Sequence, residues 1–169
     1  MSKITIDRNK QQHLDVLAKK LGQAWLNSSL IDGPNPAELP ENREEAYYVQ
    51  DQMASVISEP LSGWKVGATS AKMRELDGHG DVIPGRIFKS VTYVSANQQL
   101  PIKRFPNARA ETEFAFRLQA DCPLRDSSWT VADLAGQVVL HPAVEIIGNR
   151  HALPEGTKAQ KSLMTIADN

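Results

Sequence analysis

Apolar residues in the first third of the chain recur at the spacing of a helix face. Polar side chains fall on the opposite side between residues 10 and 27, so an amphipathic helix is predicted there. Three prolines and a glycine interrupt residues 31–44, and a second amphipathic helix is predicted after them, ending before Pro60. The apolar positions are Leu14, Leu17, Ala18, Leu21 and Trp25 in the first helix and Ala46, Val49, Met53, Val56 and Ile57 in the second.

From Gly63 onward the pattern changes to short runs rich in Val, Ile, Phe and Tyr, which Gly and Pro separate. Such runs are typical of strands. Four strands are predicted, at residues 64–69, 85–94, 111–118 and 137–147. Residues 130–136 predict a short helix or turn, with Thr130 as its cap. The fold class is therefore α+β, with a helical part at residues 1–60 and a β-rich part at residues 61–169.

Composition and charge exclude several classes of protein. The 169 residues are 41% hydrophobic and 23% charged, with a formal net charge of −1 and scattered basic residues; this predicts no nucleic-acid partner. No apolar run approaches the roughly 18 residues of a membrane span, and the polar N-terminus lacks a signal-peptide pattern. The single cysteine, Cys122, has no partner for an internal disulfide. A cytoplasmic protein without a membrane partner is expected.

Three glutamates stand on predicted strands. Side chains alternate along a strand, so Glu111 and Glu113 share one face, while Phe114 and Phe116 take the opposite face, expected to be the core face. Glu145 is the single acid among apolar residues of the last predicted strand. Oxygen ligands without a nearby cysteine suit a hard divalent cation. The alternative is a solvated sheet face on which Glu113 pairs with an arginine of a neighbouring strand, and spacing alone leaves both interpretations open.

Lys65 raises a similar question, because it lies between Trp64 and Val66 in a predicted strand, with Gly63 and Gly67 on either side. A lysine at such a position either extends its ammonium to solvent or lines a pocket, where it binds an anion or handles protons. Flanking glycines are typical of places where a backbone bends or a ligand approaches closely.

Six segments, in this order, resemble the fumarylacetoacetate hydrolase superfamily, and within it the 2-keto-4-pentenoate hydratases and 4-oxalocrotonate decarboxylases. They are "AYYVQDQM" (46–53), "GWKVGATS" (63–70), "GRIF" (85–88), "ETEFAFRL" (111–118), "PAVEIIGNR" (142–150) and "IADN" (166–169). The resemblance implies N-terminal helices followed by a mixed β-sheet or barrel-like core. It also implies that Glu111, Glu113 and Glu145 bind Mg²⁺ or Mn²⁺, and that Lys65 is the lysine of the same pocket.

The activity that the resemblance implies is that of a lyase acting on a small 2-oxo acid, as a hydratase or a decarboxylase. A 2-oxo acid chelates a dication through its carboxylate and keto oxygens, and the metal stabilises the enolate that these reactions share. Lys65 is expected to neutralise the carboxylate or to help move protons at C3 or C5 of the substrate. The alternative is a catalytically silent or truncated family member that acts as a partner subunit.

Two departures from the family pattern qualify that expectation. Hydratases of this branch carry an aspartate in a Pro-Asp-x-Gly setting, whereas here Ile83 lies near that place and Asp81 comes two residues earlier. His79 is a candidate acid–base residue, the alternative being a solvent-exposed loop histidine. Relatives also continue beyond "IADN" with further strands, so the core is expected to be incomplete, and Asn169 to lie at the entrance of another strand. An open edge predicts a homo-oligomer, and a partner enzyme of the same pathway is a further expected partner.

Overall fold

The computed structural model of the protein describes residues 6–95, 97–105, 108–151 and 157–169. The chain divides into two units. The first unit contains residues up to 106 together with residues 149–169, and the second contains residues 107–148. The division predicted from sequence, at residue 60, stays a prediction about how the protein is organised.

Both predicted long helices are confirmed, and polar side chains mark where each begins. Helix α1 spans Arg8–Asn27, and the carboxylate of Asp7 accepts hydrogen bonds from the first free backbone N–H groups of the helix. Helix α2 spans Arg43–Ile57 and is capped in the same way by Asn42. Within the described ranges, no helix is both long enough and apolar enough to cross a membrane.

The first unit also contains a β-hairpin. Strand β1 (Leu61–Gly67) pairs antiparallel with strand β2 (Ile83–Phe88). The strand predicted at residues 85–94 is therefore wrong in its second half, where residues 89–91 form a 3₁₀ turn. The reason is that Leu61, the first residue of β1, already pairs with Phe88. No β1 residue is left for the later positions to pair with.

Two further helices were not predicted. Helix α3 (Ala71–Asp77) follows β1 and is capped by Ser70, and helix α5 (Lys158–Ala167) begins at a capping box formed by Thr157 and Gln160. In "IADN", Ile166 and Ala167 are the last residues of α5; that Asn169 lies at the entrance of another strand stays a prediction. A short apolar run does not distinguish a strand from the buried side of a helix.

The core of the first unit lies where α1, α2, β2 and α5 meet. The buried apolar residues are Leu14, Leu17, Ala18, Leu21, Ala46, Val49, Met53, Ile57, Ile83, Phe88, Met164, Ile166 and Ala167. Buried Gln50 links three of these elements, since its amide nitrogen donates to the carbonyls of Ile166 at 3.0 Å and Pro84 at 3.3 Å. Its oxygen accepts from Arg86 at 2.8 Å. The end of α5 is thus held against α2 and β2.

The second unit is a long hairpin with a short helix in its connection. Strand β3 (Arg109–Leu118) pairs antiparallel with strand β4 (Val138–Ile147) without a register shift. Helix α4 spans Val131–Ala135 and is capped by Thr130, as predicted. The side chains of Thr130 and Asp133 form a capping box. The two hairpins are separate two-stranded antiparallel sheets in the part of the chain that the structure describes, so the barrel-like core stays a prediction.

The expectation that Phe114 and Phe116 face the core is wrong for the structure as described. Phe114 is 74% exposed and Phe116 is 65% exposed. Across the hairpin they pair with Pro142 and Leu140, which places apolar residues of both strands on one face of the sheet. Strand alternation correctly separates this face from the glutamates, but it does not reveal what covers it.

Candidate metal centre

The pairing of β3 with β4 brings the three predicted glutamates together. Glu111 lies directly opposite Glu145, and Glu113 follows two residues along the same face, opposite Ala143. Each glutamate offers one carboxylate oxygen, and these three oxygens all lie within 4.8 Å of one another. Glu111 and Glu113 are exposed and Glu145 is half-buried. The convergence of the three side chains is a property of the second unit alone.

Local sequence explains why these side chains meet. Directly opposed residues of an antiparallel pair have Cβ atoms about 4.5–5.5 Å apart, so the Glu111–Glu145 pairing sets the spacing of the first two carboxylates. Small residues follow on the same face, because Ala143 lies opposite Glu113 and Ala115 opposite His141.

The three residues fit a hard divalent cation. Two oxygens bound to one Mg²⁺ at about 2.1 Å lie roughly 3–4.2 Å apart, and the three oxygens here all lie within 4.8 Å of one another. Among the ion pairs of the described residues, none involves Glu111 or Glu113, so the alternative in which Glu113 pairs with a neighbouring arginine is not seen. A cation between the carboxylates would offset their mutual repulsion.

Lys65 lies in β1 of the first unit, where it is half-buried and directly opposite Gly85. Its neighbour Trp64 is covered on one side by Arg86, whose guanidinium carbon lies 5.0 Å from the ring centroid. Successive side chains of a strand point to opposite faces, so Lys65 and Trp64 lie on opposite sides of the β1–β2 hairpin. That Lys65 shares a pocket with the glutamates stays a prediction.

His79 is buried, not the solvent-exposed loop histidine of the alternative interpretation. Its Nδ1 atom lies 2.6 Å from the hydroxyl oxygen of Ser162 on α5. Burial lowers the pKa of His79; the carboxylate of Asp77 opposes this shift and the guanidinium of Arg43 adds to it. The imidazole is therefore neutral near pH 7.

Asp81, the other predicted acid–base residue, is exposed. Its carboxylate oxygen accepts a hydrogen bond from the backbone N–H of Val82 at 2.7 Å. The two candidates thus differ, since His79 contacts Ser162 on α5 and Asp81 accepts a hydrogen bond from the backbone of the next residue.

The first unit also contains a polar cluster around Asp168 that was not predicted from the sequence. Asp168 accepts hydrogen bonds from the backbone N–H of Arg150 at 3.0 Å and from its guanidinium at 2.8 Å. His151 is buried, with its Nε2 atom 3.8 Å from Asp168. Burial lowers the pKa of His151, the Asp168 carboxylate opposes the shift and Arg150 adds to it. The segments "GNRH" (148–151) and "ADN" (167–169) contain these residues, but nothing in either segment indicates the pairing.

Two solved structures share this fold. Both are 4-oxalocrotonate decarboxylase from Pseudomonas putida G7, one complexed with calcium and acetate and the other with magnesium and adipate. The first superposes with a TM-score of 0.75 at 23% sequence identity, and the second with a TM-score of 0.72 at 22% identity. Each match covers 98% of this chain and 60% of the other, so the chain spans about three fifths of the length of these enzymes.

Comparisons by sequence found no match. No protein-family model matches the chain, and no curated protein matches it. The likeness therefore establishes a fold similar to that of the decarboxylase.

Proposed function

We propose that the protein is a metal-dependent lyase acting on a small 2-oxo acid, as a hydratase of the 2-hydroxypenta-2,4-dienoate type or a related decarboxylase. The observation that carries the proposal is the convergence of the Glu111, Glu113 and Glu145 carboxylates on one face of the β3–β4 hairpin. The likeness in fold to a decarboxylase complexed with magnesium or calcium supports the same assignment.

The three glutamates would hold Mg²⁺ or Mn²⁺ through one oxygen each. When bound, such an ion supplies Lewis acidity to the carboxylate and keto oxygens of a 2-oxo acid and stabilises the enolate form. Three protein ligands leave the remaining positions of an octahedral ion for water and substrate. The pairing of β3 with β4 along their whole length would keep the three carboxylates in place for such an ion.

Substrate binding and proton transfer require cationic and acid–base side chains as well. We assign to Lys65 the neutralisation of the substrate carboxylate or the movement of protons at C3 or C5. His79 is assigned as an acid–base residue, and its neutral imidazole would act first as an acceptor. Asp81 is the other candidate for proton transfer, with a carboxylate that is already exposed to water.

The test is solvent exchange at C3 of 2-oxopentanoate, since hydration and decarboxylation share the enolate that this exchange reports. We expect the C3 proton signals to disappear in D₂O when protein and Mg²⁺ are both present. Glu113→Gln should abolish the exchange, and Glu59→Gln, which changes a glutamate outside the cluster, should preserve it. Equal exchange by both variants would refute the assignment of the glutamates.

A second candidate is a catalytically silent subunit that supports a partner enzyme. The altered Pro-Asp-x-Gly position favours it, because Ile83 lies near the place where hydratases of this branch carry an aspartate. A melting temperature that rises with Mg²⁺ but not further with a 2-oxo acid would support this candidate.

A further inference from the structure

The carboxamide of Asn169 occupies the place where residue 85 would carry a side chain. A Cβ atom built on Gly85 would lie 2.6 Å from Cγ and 2.9 Å from Oδ1 of Asn169, and closer still to Nδ2. Real Cβ atoms do not approach other heavy atoms within 3.0 Å. Position 85 must therefore be glycine for as long as Asn169 keeps this position.

The same geometry places Asn169 on the lysine face of the hairpin. Gly85 and Lys65 are directly paired across β1 and β2, and directly paired residues point to the same side of a sheet. Their Cβ positions are about 5 Å apart in such a pair. The atoms of the Asn169 carboxamide lie no more than 2.9 Å from the Cβ position of residue 85, so the carboxamide lies on the same side of the hairpin as the Lys65 side chain.

Asn169 is held there by groups of the first unit. Its backbone N–H donates to the carbonyl of Ile166 at 3.3 Å, and its side-chain Nδ2 donates to the carbonyl of Ile83 at 3.4 Å. The preceding residue, Asp168, is tied to Arg150 by two hydrogen bonds. The carboxamide is thus placed by the end of α5 as well as by β2, and its orientation is set before any ligand binds.

We propose that Asn169 is a second substrate-binding residue beside Lys65, and that its carboxamide donates a hydrogen bond to an anionic oxygen of the 2-oxo acid. This inference rests on the proposed function. A side-chain amide carries two N–H donors, and only one of them is directed at the carbonyl of Ile83. The ammonium of Lys65 attracts an anion without fixing its direction, whereas a neutral amide N–H adds direction without a further charge.

The experiment measures binding of oxalate, a dianion that chelates Mg²⁺, by titration calorimetry with Mg²⁺ present. Three variants separate packing from binding: Gly85→Ala, Asn169→Gly and the double variant. Gly85→Ala should lower the melting temperature because the new Cβ collides with the carboxamide, and the double variant should recover it because the carboxamide is gone. We expect all three variants to bind oxalate at least about tenfold more weakly than the unmodified protein. Asn97→Gly, in an exposed loop, serves as the control and should bind normally.

The outcomes separate this inference from the proposed function. A double variant that regains its melting temperature but not its oxalate affinity supports a binding role. If the double variant binds oxalate as tightly as the unmodified protein, Asn169 only packs against Gly85 and the inference is overturned, while the proposed function stands. If the unmodified protein does not bind oxalate with Mg²⁺ at all, both are overturned.

Discussion

Glu111 and Glu145 lie directly opposite each other across the β3–β4 hairpin, although 34 positions separate them in the sequence. Two carboxylates so placed repel each other unless water or a cation intervenes. With Glu113 on the same face, the hairpin concentrates three potential negative charges within a few ångströms.

Replacing Glu113 by Gln should weaken Mg²⁺ binding at least about tenfold, since one of three charged ligands becomes neutral. Without metal, the same variant should be as stable as the unmodified protein or more so, because repulsion among the carboxylates falls. Melting curves with and without Mg²⁺, recorded in the presence of oxalate, measure both effects. Glu59→Gln is the control, and an equal Mg²⁺-dependent rise in Glu113→Gln and the control would contradict a metal site here.

Replacing Lys65 by Ala should lower the rate of C3 exchange about a hundredfold or more, while the melting temperature changes little. The side chain is half-buried on a two-stranded sheet, where truncation of a long polar side chain costs little packing. Lys72→Ala, at an exposed helix position, should leave both quantities unchanged. A large loss of melting temperature with retained exchange would show that Lys65 is structural.

Stability should fall as the pH drops below about 6.5. Burial lowers the pKa of both His79 and His151, so the unfolded chain, with an ordinary histidine pKa near 6.5, binds protons that the folded chain does not. The contribution of the two neutral histidines to the free energy of unfolding is therefore complete above about pH 6.5. Below about pH 6.5 it is lost at up to about 1.4 kcal/mol per pH unit for each histidine. Asp77 opposes the shift at His79, as Asp168 does at His151.

Urea unfolding at pH 7.5 and pH 5.5 measures this dependence. The variant His79→Gln should flatten the profile, and changing both histidines should flatten it further. His13→Gln is the matched control, because His13 lies on α1, away from both clusters. An unchanged pH profile after both substitutions would assign the acid sensitivity to other groups.

We expect the protein to form a homo-oligomer through the apolar face of the second hairpin. Phe114, Phe116, Leu140 and Val144 are each more than half exposed, and a contiguous apolar patch of this kind favours association between chains. Phe116→Ser should shift the mass measured by light scattering toward the monomer, whereas Leu124→Ser, at a fully exposed position outside the strands, should not. A monomer of the unmodified protein at micromolar concentration would contradict the prediction.

Local sequence alone determined several features correctly. The 3.6-residue spacing of Leu14, Leu17 and Leu21 predicts α1 because the buried face of a helix is written into a single short segment. In the same way, strand alternation puts Glu111 and Glu113 on one face, and Thr130 signals the start of α4. The resemblance of six segments then led to the glutamate trio and to the fold shared with the decarboxylase.

Tertiary structure decided what depends on residues far apart in the chain. The burial of Ile166 and Ala167 at the end of α5, the burial of His79 against Ser162 and the contact of Asn169 with Gly85 all require α5 to pack on α2 and β2. The local sequence does not indicate any of these contacts, because short apolar runs, histidines and glycines occur in many different structural environments. Their free energies come from contacts between segments about 80 residues apart, and only the folded chain brings those segments together.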